Sequence, residues 1–268
     1  MKMYCLTTQD DHYEKIKKLG YLPVGLGNKV NTRNFISDNT KINISKKNSF
    51  YGEYTFHYWL WKNRINENEK DWVGFCQYRK FWVIENYKGN IDNLEKLNKR
   101  LLKKIPENFD KFDAILGEPL FINQFRFSKF IKKNLKVMVK EPSLFFDKTK
   151  RTIKFHFDMM HGKGNLDNAI DLLDKKDRND FRKFVNSEVS FNPHNMFICK
   201  SQSILNNYYN DIFPWLEKCE KEFGFNLEGY GLKRIYGFLA ERYLSFWFRK
   251  NSKFKTLPIM FKDISELN

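Results

Sequence analysis

The stretch from Tyr51 to Trp82, YGEYTFHYWLWKNRINENEKDWVGFCQYRKFW, restricts the possible folds more than any other part of the chain. Its first half places aromatic rings three or four residues apart, which is the spacing of the apolar face of a buried helix (Tyr51, Tyr54, Tyr58, Trp61). After a polar turn at 63–70 comes Trp72-Val73-Gly74-Phe75-Cys76, a short apolar run rich in strand-forming residues. Such a run predicts a strand of a sheet that is covered on both faces.

Two cations follow directly after this strand, in the sequence Gln77-Tyr78-Arg79-Lys80. In open α/β sheets, ligands bind in the crevice outside the carboxyl ends of the strands. Arg79 and Lys80 therefore stand where an anionic ligand would lie, and a guanidinium can bind two phosphate oxygens at once. The alternative for Arg79 is an ion pair that serves only the structure.

Other segments alternate between the patterns of strands and helices. Strand patterns lie at 3–8 and 113–117, and helix patterns lie at 11–19, 91–105 and 201–223. This alternation favours an α/β class with a Rossmann-like central sheet flanked by helices. Because no linker rich in Pro, Gly or Ser divides the chain, we expect one domain over residues 1–250 and a C-terminal tail at 251–268.

Three sequence motifs occur in order along the chain. The first combines N-I-S-K-K-N at 43–48, Y-G-E-Y-T, Y-W-L-W-K-N and V-G-F-C-Q-Y-R-K-F; the second is N-M-F-I-C-K at 195–200; the third is R-I-Y-G-F-L-A-E-R-Y-L at 234–244. Together they resemble the motifs of a bacterial capsular-polysaccharide synthesis glycosyltransferase family, over roughly residues 1–250. That family usually has H-Y-R-R where this chain has Gln77-Tyr78-Arg79-Lys80, so the His is absent and the positive charge is kept.

The resemblance implies a fold and an activity. The fold is a single-domain A-type glycosyltransferase fold. The activity is transfer of a hexose or hexofuranose from a nucleotide-sugar, first of all a UDP-linked one, to a hydroxyl of a capsular or surface polysaccharide intermediate. The partners it implies are the nucleotide-sugar donor and a glycan or lipid-linked glycan acceptor.

Eight residues are predicted to bind the nucleotide-sugar: Thr8, Asn39, Asn48, Glu53, Arg79, Lys80, His194 and Asn195. Thr8 ends the first strand, which commonly supplies the contact to the base in an α/β fold, although a solvated turn explains it equally well. The resemblance places Asn39, Asn48 and Glu53 near the donor. For Asn48 the alternative is an N-cap, at Asn48 or Ser49, of the helix that follows. His194 and Asn195 belong to a loop that leads into the buried strand predicted at Met196-Phe197-Ile198-Cys199.

The acceptor hydroxyl needs a base. Glu241 is the first candidate because many A-type glycosyltransferase folds place their base near the start of a helix in this part of the chain; an ion pair between Glu241 and Arg242 is the alternative. The resemblance maps two further catalytic candidates, His161 and Asp167, to the region that binds acceptor hydroxyls.

The departing diphosphate needs positive charge, which most A-type glycosyltransferases supply with a D-x-D motif and a divalent metal. No D-x-D occurs in this sequence. We therefore predict metal-independent transfer without a cofactor, with Arg79 and Lys80 in the place of the metal, while a divalent metal is not excluded.

The chain is strongly basic, with 48 Lys and Arg against 32 Asp and Glu and a net charge of +16. This charge makes a non-catalytic protein that binds nucleic acid or a membrane surface the alternative function. No RNP, helix-turn-helix or zinc motif is present, so we expect no nucleic-acid partner.

The location of the protein and the state of its cysteines can also be predicted from the sequence. The chain lacks an apolar leader and a run of about 18 apolar residues, which predicts a cytoplasmic protein. Phe246-Trp247-Phe248-Arg249-Lys250 could associate peripherally with the inner membrane, or the rings could fill the core. Four scattered cysteines without metal-binding spacing predict buried, reduced thiols.

Overall fold

A computed structural model of the protein describes residues 1–27, 34–124 and 147–268. The strands of these ranges are β1 (Lys2–Thr7), β2 (Leu22–Gly25), β3 (Ile36–Ser37), β4 (Val73–Gln77), β5 (Lys80–Trp82), β6 (Ala114–Gly117), β7 (Leu120–Phe121), β8 (Ser190–Phe191), β9 (Phe197–Cys199), β10 (Phe254–Leu257) and β11 (Ile259–Phe261). The α-helices are α1 (His12–Lys18), α2 (Asn48–Tyr51), α3 (Tyr54–Asn63), α4 (Leu94–Asn98), α5 (Ile153–His161), α6 (Asn165–Asp171), α7 (Lys175–Ser187), α8 (Gln202–Phe223), α9 (Tyr230–Lys233) and α10 (Ile235–Asn251).

One sheet organises these elements. Seven strands lie side by side in the order β10, β6, β9, β4, β1, β2 and β3, and β5 and β11 complete a nine-stranded sheet next to β4. The pairs β1–β2, β1–β4, β2–β3 and β10–β6 are parallel, whereas β9 is antiparallel to both of its neighbours. Because β9 runs in the opposite direction, the loop that precedes it reaches the same edge of the sheet as the carboxyl ends of β1 and β4.

Apolar layers cover both faces of the sheet, as the unbroken apolar run of β4 predicts. Phe75 points into a layer built with α3, α8 and α10, and its neighbour Cys76 points into the layer that contains Ile16 of α1. The predicted α/β class with a central, mostly parallel sheet flanked by helices is confirmed. The four cysteines are buried and free, as predicted.

Two predicted helices differ from the structure. The aromatic helix is interrupted at Gly52, where φ is +59° and the chain ends α2 before α3 begins at Tyr54. The pattern at 91–105 yields only the short α4, because the backbone of Leu101 bridges to Val83 and that of Leu102 donates to Trp82. In both cases contacts with distant residues override the local helical pattern.

The segment 251–268, predicted to be a tail outside the domain, joins the sheet. Strand β10 pairs in parallel with β6, and β11 pairs with β5 in antiparallel register. Leu257, Ile264 and Leu267 are buried in the same apolar layer as α1. These residues are therefore part of the core.

The aromatic cluster proposed for a membrane surface lies inside the protein. Phe246, Trp247 and Phe248 of α10 are all buried in the core layer, so the interpretation that they fill the core is the correct one. In the part of the chain that the structure describes, no helix is both long and apolar enough to cross a membrane.

Candidate active site

A pocket of about 150 Å³ opens at the carboxyl edge of the sheet, where β1 and β4 end side by side. Most of its lining residues come from the ends of β1 and β4 and from the segment around α2: Leu6, Thr7, Thr8, Leu26, Asn48, Gly52, Glu53, Gln77, Tyr78, Arg79 and Arg234. Four of the eight residues predicted to bind the donor are among them. The pocket thus lies where an α/β sheet is expected to bind its ligand.

A larger cavity of about 270 Å³ lies at the opposite edge of the sheet, beside the amino ends of β1 and β4. Lys2, Glu69 and Gln202 line it, and Lys2 and Gln202 both donate to the carboxylate of Glu69. The smaller pocket is the better candidate because the sequence motifs converge on it.

Glu53 is the point at which those motifs meet. Its Oε1 accepts hydrogen bonds from Gln77 Nε2 at 3.3 Å and from Asn195 Nδ2 at 3.1 Å. Its Oε2 lies 3.5 Å from Nη2 of Arg234. Four segments that are far apart in the sequence, around residues 53, 77, 195 and 234, are therefore tied to one half-buried carboxylate.

Two glycines permit this convergence. A β-carbon at Gly52 would clash with the guanidinium of Arg234, and the φ of +59° at Gly52 suits only glycine. A β-carbon at Gly237 of α10 would come within 3.3 Å of the carbonyl oxygen of Tyr51, so this glycine lets α10 pack closely against α2. The Y-G-E and R-I-Y-G motifs are thus complementary in shape.

The loop before β9 brings His194 and Asn195 to the site in an unusual backbone conformation. Both residues have positive φ, +79° and +52°, which is uncommon for residues other than glycine. Three bonds hold the loop: His194 N donates to Glu241 Oε1 at 2.5 Å, Gln77 Nε2 donates to the carbonyl of His194 at 3.1 Å, and Asn195 Nδ2 donates to the carbonyl of Gly237 at 3.1 Å. Backbone strain of this kind concentrates at functional sites.

The cations at the end of β4 have different environments. Arg79 is exposed on the pocket wall, and no carboxylate of the described residues forms an ion pair with it, so the purely structural ion pair is not found. Lys80 is half-buried; its ammonium group lies 3.2 Å from Nδ1 of His194. Burial lowers the pKa of Lys80, while the carboxylates of Glu53 and Glu241 oppose this shift.

His194 is the neutral partner of Lys80. Burial, followed by the charge of Lys80, lowers the pKa of His194 to about 3. A neutral imidazole has one ring nitrogen that accepts a hydrogen bond, and here the Lys80 ammonium is the donor to Nδ1. At neutral pH the His194–Lys80 pair therefore carries the charge of Lys80 alone.

Glu241 lies beside the site but is not one of the residues that line the pocket. One of its oxygens accepts from the backbone of His194 and the other pairs with Arg242, a side chain that is only 2% exposed. Arg242 also lies 3.2 Å from Nδ1 of His156 and stacks on the ring of Phe191. The ion pair considered as the alternative for Glu241 is present, and it also fixes the loop at His194.

Asn48 and Asn39 support the pocket in different ways. The predicted cap at Asn48 is wrong: Asn48 is the first residue of α2, and its Nδ2 donates to the carbonyl of Gly52 at 2.9 Å and to Thr55 Oγ1 at 3.0 Å. Thr55 in turn donates to the buried Asp38, which also accepts from Gly27 N at 2.7 Å. Asn39 lies next to this network, bonded to Ser37, and does not line the pocket.

Thr8 lines the pocket directly after β1, next to the buried Thr7. The hydroxyl of Thr7 is bonded to Nδ1 of His12 at 2.7 Å and accepts from the backbone of Gln9 at 3.1 Å. The turn after β1 is thus held from inside, and Thr8 remains on the pocket wall.

His161 and Asp167 do not join the pocket. His161 is buried, donates from Nδ1 to the carbonyl of Gly231 at 3.0 Å and stacks on Phe238. Asp167 forms ion pairs with Lys154 at 2.8 Å and with Arg182 at 3.5 Å. Their observed contacts are those of residues that pack α5 and α6 against the rest of the fold.

Seven of the eleven pocket-lining residues were not predicted to bind a ligand, and two of these seven, Gln77 and Arg234, contact Glu53. Arg234 opens the third motif and Gln77 replaces the His of H-Y-R-R, so both stood in quoted motifs. Arg234 could have been identified by its position directly before a helix and three residues before Gly237. A cation at the start of a helix, next to a glycine that permits close packing, suits an anion site. Among the described residues, no group of three His, Cys, Asp or Glu side chains converges as a metal site.

The fold and the site define an α/β protein with a ligand pocket at the carboxyl edge of its sheet. A solved structure described as the WbbM bifunctional glycosyltransferase in its apo form aligns with 98% of this chain at a TM-score of 0.70 and 20% sequence identity. The protein therefore has the fold of that glycosyltransferase structure. The chain spans 45% of the length of the WbbM chain that it matches.

The family follows from the sequence itself. Residues 2–252 match the family described as Domain of unknown function (DUF4422), and the chain belongs to this family. Among curated proteins, none matches the chain.

Proposed function

We propose that the protein is a glycosyltransferase that moves a hexose or hexofuranose from a UDP-linked sugar to a hydroxyl of a capsular or surface polysaccharide intermediate. The proposal includes transfer without a divalent metal and a glycan or lipid-linked glycan as acceptor. The likeness of the fold to a glycosyltransferase structure supports it.

One observation carries the proposal. Gln77, Asn195 and Arg234 all contact the carboxylate of Glu53, at a pocket that Arg79 also lines. A pocket that gathers two guanidinium groups around amide and hydroxyl groups suits a ligand with both phosphates and sugar hydroxyls. Glu53, as an acceptor of hydrogen bonds, suits a hydroxyl of the donor, whereas the cations suit its diphosphate.

The cations give the reaction its electrostatic component. A diphosphate leaving group gains negative charge as the bond to the sugar breaks, and preorganised donors at that position lower the barrier. Arg79 forms no ion pair among the described residues; it interacts electrostatically with Asp263, and its exposed guanidinium is accessible to a ligand. Lys80 carries the second charge and is oriented by His194.

Glu241 is the proposed base for the acceptor hydroxyl. Its two oxygens accept from His194 N and from Arg242, which leaves lone pairs on a carboxylate that has about four acceptor positions. Lys80 lies within its electrostatic reach. His161 and Asp167 become candidates only if Glu241 is dispensable.

The location belongs to the proposal as well. We propose a cytoplasmic protein that can associate with the inner face of the membrane, and the support for that association is the net charge of +16. The buried rings at 246–248 lend it no support.

Binding of nucleotides to the purified protein tests the proposal. UDP and UDP-hexoses at about a hundred times their Kd should raise the free energy of unfolding by about 2.7 kcal/mol, seen as a higher melting temperature. GDP, ADP and single-stranded RNA serve as comparisons. Stabilisation by none of the nucleotides or nucleotide-sugars, together with RNA binding that weakens steeply with salt, would replace the enzyme with the nucleic-acid-binding alternative.

A further inference from the structure

A second depression, of about 230 Å³, opens next to the candidate active site. It is formed by the loop before α4 and by β11, and its lining residues are Tyr87, Gly89, Asn90, Ile91, Met260, Phe261 and Lys262. It shares no lining residue with the donor pocket.

The depression and the donor pocket have a common wall. Arg79 lines the donor pocket, and its carbonyl oxygen accepts a hydrogen bond at 3.2 Å from the backbone of Lys262, which lines the depression. Phe261 pairs with Lys80 in the sheet, and its ring centre lies 5.2 Å from that of His194 in an edge-to-face arrangement. A ligand could therefore extend from one into the other across Lys80 and His194.

Two exposed aromatic rings distinguish this depression. Phe261 is 64% exposed and Tyr87 is 38% exposed, so two of the seven exposed large hydrophobic side chains among the described residues line this depression. Tyr87 is held in place, since its ring lies against Gly89, where a β-carbon would clash with it, and the guanidinium of Arg100 stacks on it at 4.1 Å. A ring fixed in this way presents a face to a ligand at little cost in entropy.

We propose that this depression binds a sugar unit of the acceptor glycan, with Phe261 and Tyr87 as stacking platforms; this rests on the proposed glycosyltransferase function. The faces of a sugar ring carry C–H groups that pack on the electron-rich face of an aromatic ring. Asn90 and the ammonium group of Lys262, which also pairs with Glu266, provide hydrogen-bonding groups for the hydroxyls. Such a mixture of rings and a few polar groups is typical of small-ligand sites.

A sugar fits this position better than the base of the donor does. The predicted base contact, Thr8, lies in the other pocket, and the hairpin turn at Arg79 separates the two. If the diphosphate lies at Arg79, the base and the acceptor lie on opposite sides of it. The acceptor side is then the side of Phe261.

Saturation-transfer NMR with methyl glycosides of glucose, galactose and mannose as probes tests the proposal, in the presence of saturating UDP. At least one glycoside should receive saturation at its ring C–H protons in the wild type. Phe261→Leu keeps an apolar side chain without an aromatic face and should weaken glycoside binding by about threefold to tenfold. Tyr87→Leu should act in the same direction, whereas the Kd of UDP, measured by calorimetry, should stay the same in Phe261→Leu.

Three results would overturn the subsite: no glycoside bound by the wild type, unchanged glycoside binding in Phe261→Leu, or a weaker UDP affinity in that variant. The last result would place the base of the donor in the depression. Glycoside binding that depends on Phe261 would support the subsite even if UDP did not bind. The two measurements therefore distinguish a wrong assignment of the donor from a wrong assignment of the subsite.

Discussion

The guanidinium of Arg234 lies over the α-carbon of Gly52, at a separation that a β-carbon on residue 52 would reduce to less than 3.0 Å. Arg234 also reaches the carboxylate of Glu53 at 3.5 Å. In the Y-G-E motif, Gly52 thus provides the space for Arg234 and Glu53 provides its counter-charge. Arg234 belongs to the third motif and lies 181 residues after Glu53 in the chain.

Gly52→Ala should displace Arg234 and weaken UDP binding. The φ of +59° at residue 52 should lower the stability of the variant by about 1–3 kcal/mol. Loss of a charge-assisted contact between Arg234 and the diphosphate should separately lower the affinity for UDP about tenfold. Gly224→Ala is the matched control, because Gly224 has a φ of +64° and nothing within 4 Å of its β-carbon position. Calorimetry with UDP should show weaker binding in Gly52→Ala only; an equal loss of affinity in both variants would argue against a specific role for Arg234.

Much of the sheet could be predicted because its strands are coded locally. The apolar runs of β1, β4 and β6 stand out in the sequence, and so do the cations directly after β4. The break at Gly52 and the pairing of 251–268 with the sheet could not be predicted in this way. Both depend on partners more than a hundred residues away in the sequence, namely Arg234 and β6.

The residues of the site likewise divide into those that local sequence predicts and those that depend on distant parts of the chain. Arg79 and Asn48, both predicted to bind the donor, line the pocket, since each follows from a strand end or a motif. His161 and Asp167 lie elsewhere, because a motif match gives no information on which face of a helix a residue occupies. Arg234 joins the pocket through the packing of α10 on α2, a contact between segments that are far apart in the sequence.

Glu241→Gln should lower turnover by about a hundredfold while the Kd of UDP stays close to that of the wild type. Removing the base that deprotonates the acceptor hydroxyl slows the chemical step and leaves donor binding unchanged. The measurements are the rate of UDP release with acceptor present and UDP calorimetry on the same preparation. Gln keeps an acceptor for the backbone of His194, so the loop can stay in place.

The buried partner of Glu241 complicates this test and must be controlled. Arg242 would lose its counter-charge, and an unpaired buried cation can cost about 3–5 kcal/mol. A melting temperature should therefore accompany each rate. Unchanged turnover would remove Glu241 from the chemistry, and a variant that is inactive only because it is unfolded would assign Glu241 to the ion pair.

Stability should fall as the pH drops from 6.5 toward 3, in part because of His161. Burial, followed by the charge of Arg242, lowers the pKa of His161 to about 3 in the folded protein. The unfolded chain takes up a proton near pH 6.5 and the folded chain does not, so the stabilisation is complete above pH 6.5 and is lost progressively below it.

His161→Gln should reduce this pH dependence by about 1.4 kcal/mol per pH unit between pH 4.5 and 6, as urea unfolding at several pH values would measure. A remaining slope is expected, because His57, His156 and His194 also have pKa values lowered to about 3. Turnover at pH 7.5 should be largely retained in this variant. An unchanged slope combined with lost turnover would favour His161 as a catalytic residue.

Transfer should continue after exhaustive treatment with EDTA. The sequence has no D-x-D, and in the described ranges no three acidic, His or Cys side chains converge. The chelated enzyme should keep its rate, and added manganese should change that rate little. Activity lost to EDTA and restored by manganese would refute metal independence and would direct the search for ligands to Asp158, Asp167 and the histidines.

Arg79→Ala should weaken UDP binding by about tenfold to a hundredfold, since a hydrogen bond between charged groups contributes about 1.5–3 kcal/mol. Arg79→Lys should recover only part of this, because an ammonium group keeps the charge but not the two parallel donors of a guanidinium. Arg249→Ala, which removes an equal charge from the ion pair with Glu188, is the control for the general effect of net charge. Because the side chain of Arg79 is exposed, melting temperatures of all three variants should lie close to that of the wild type. Affinity that fell equally in Arg79→Ala and Arg249→Ala would mean that the net charge of the protein, and not the cation at the end of β4, attracts the diphosphate.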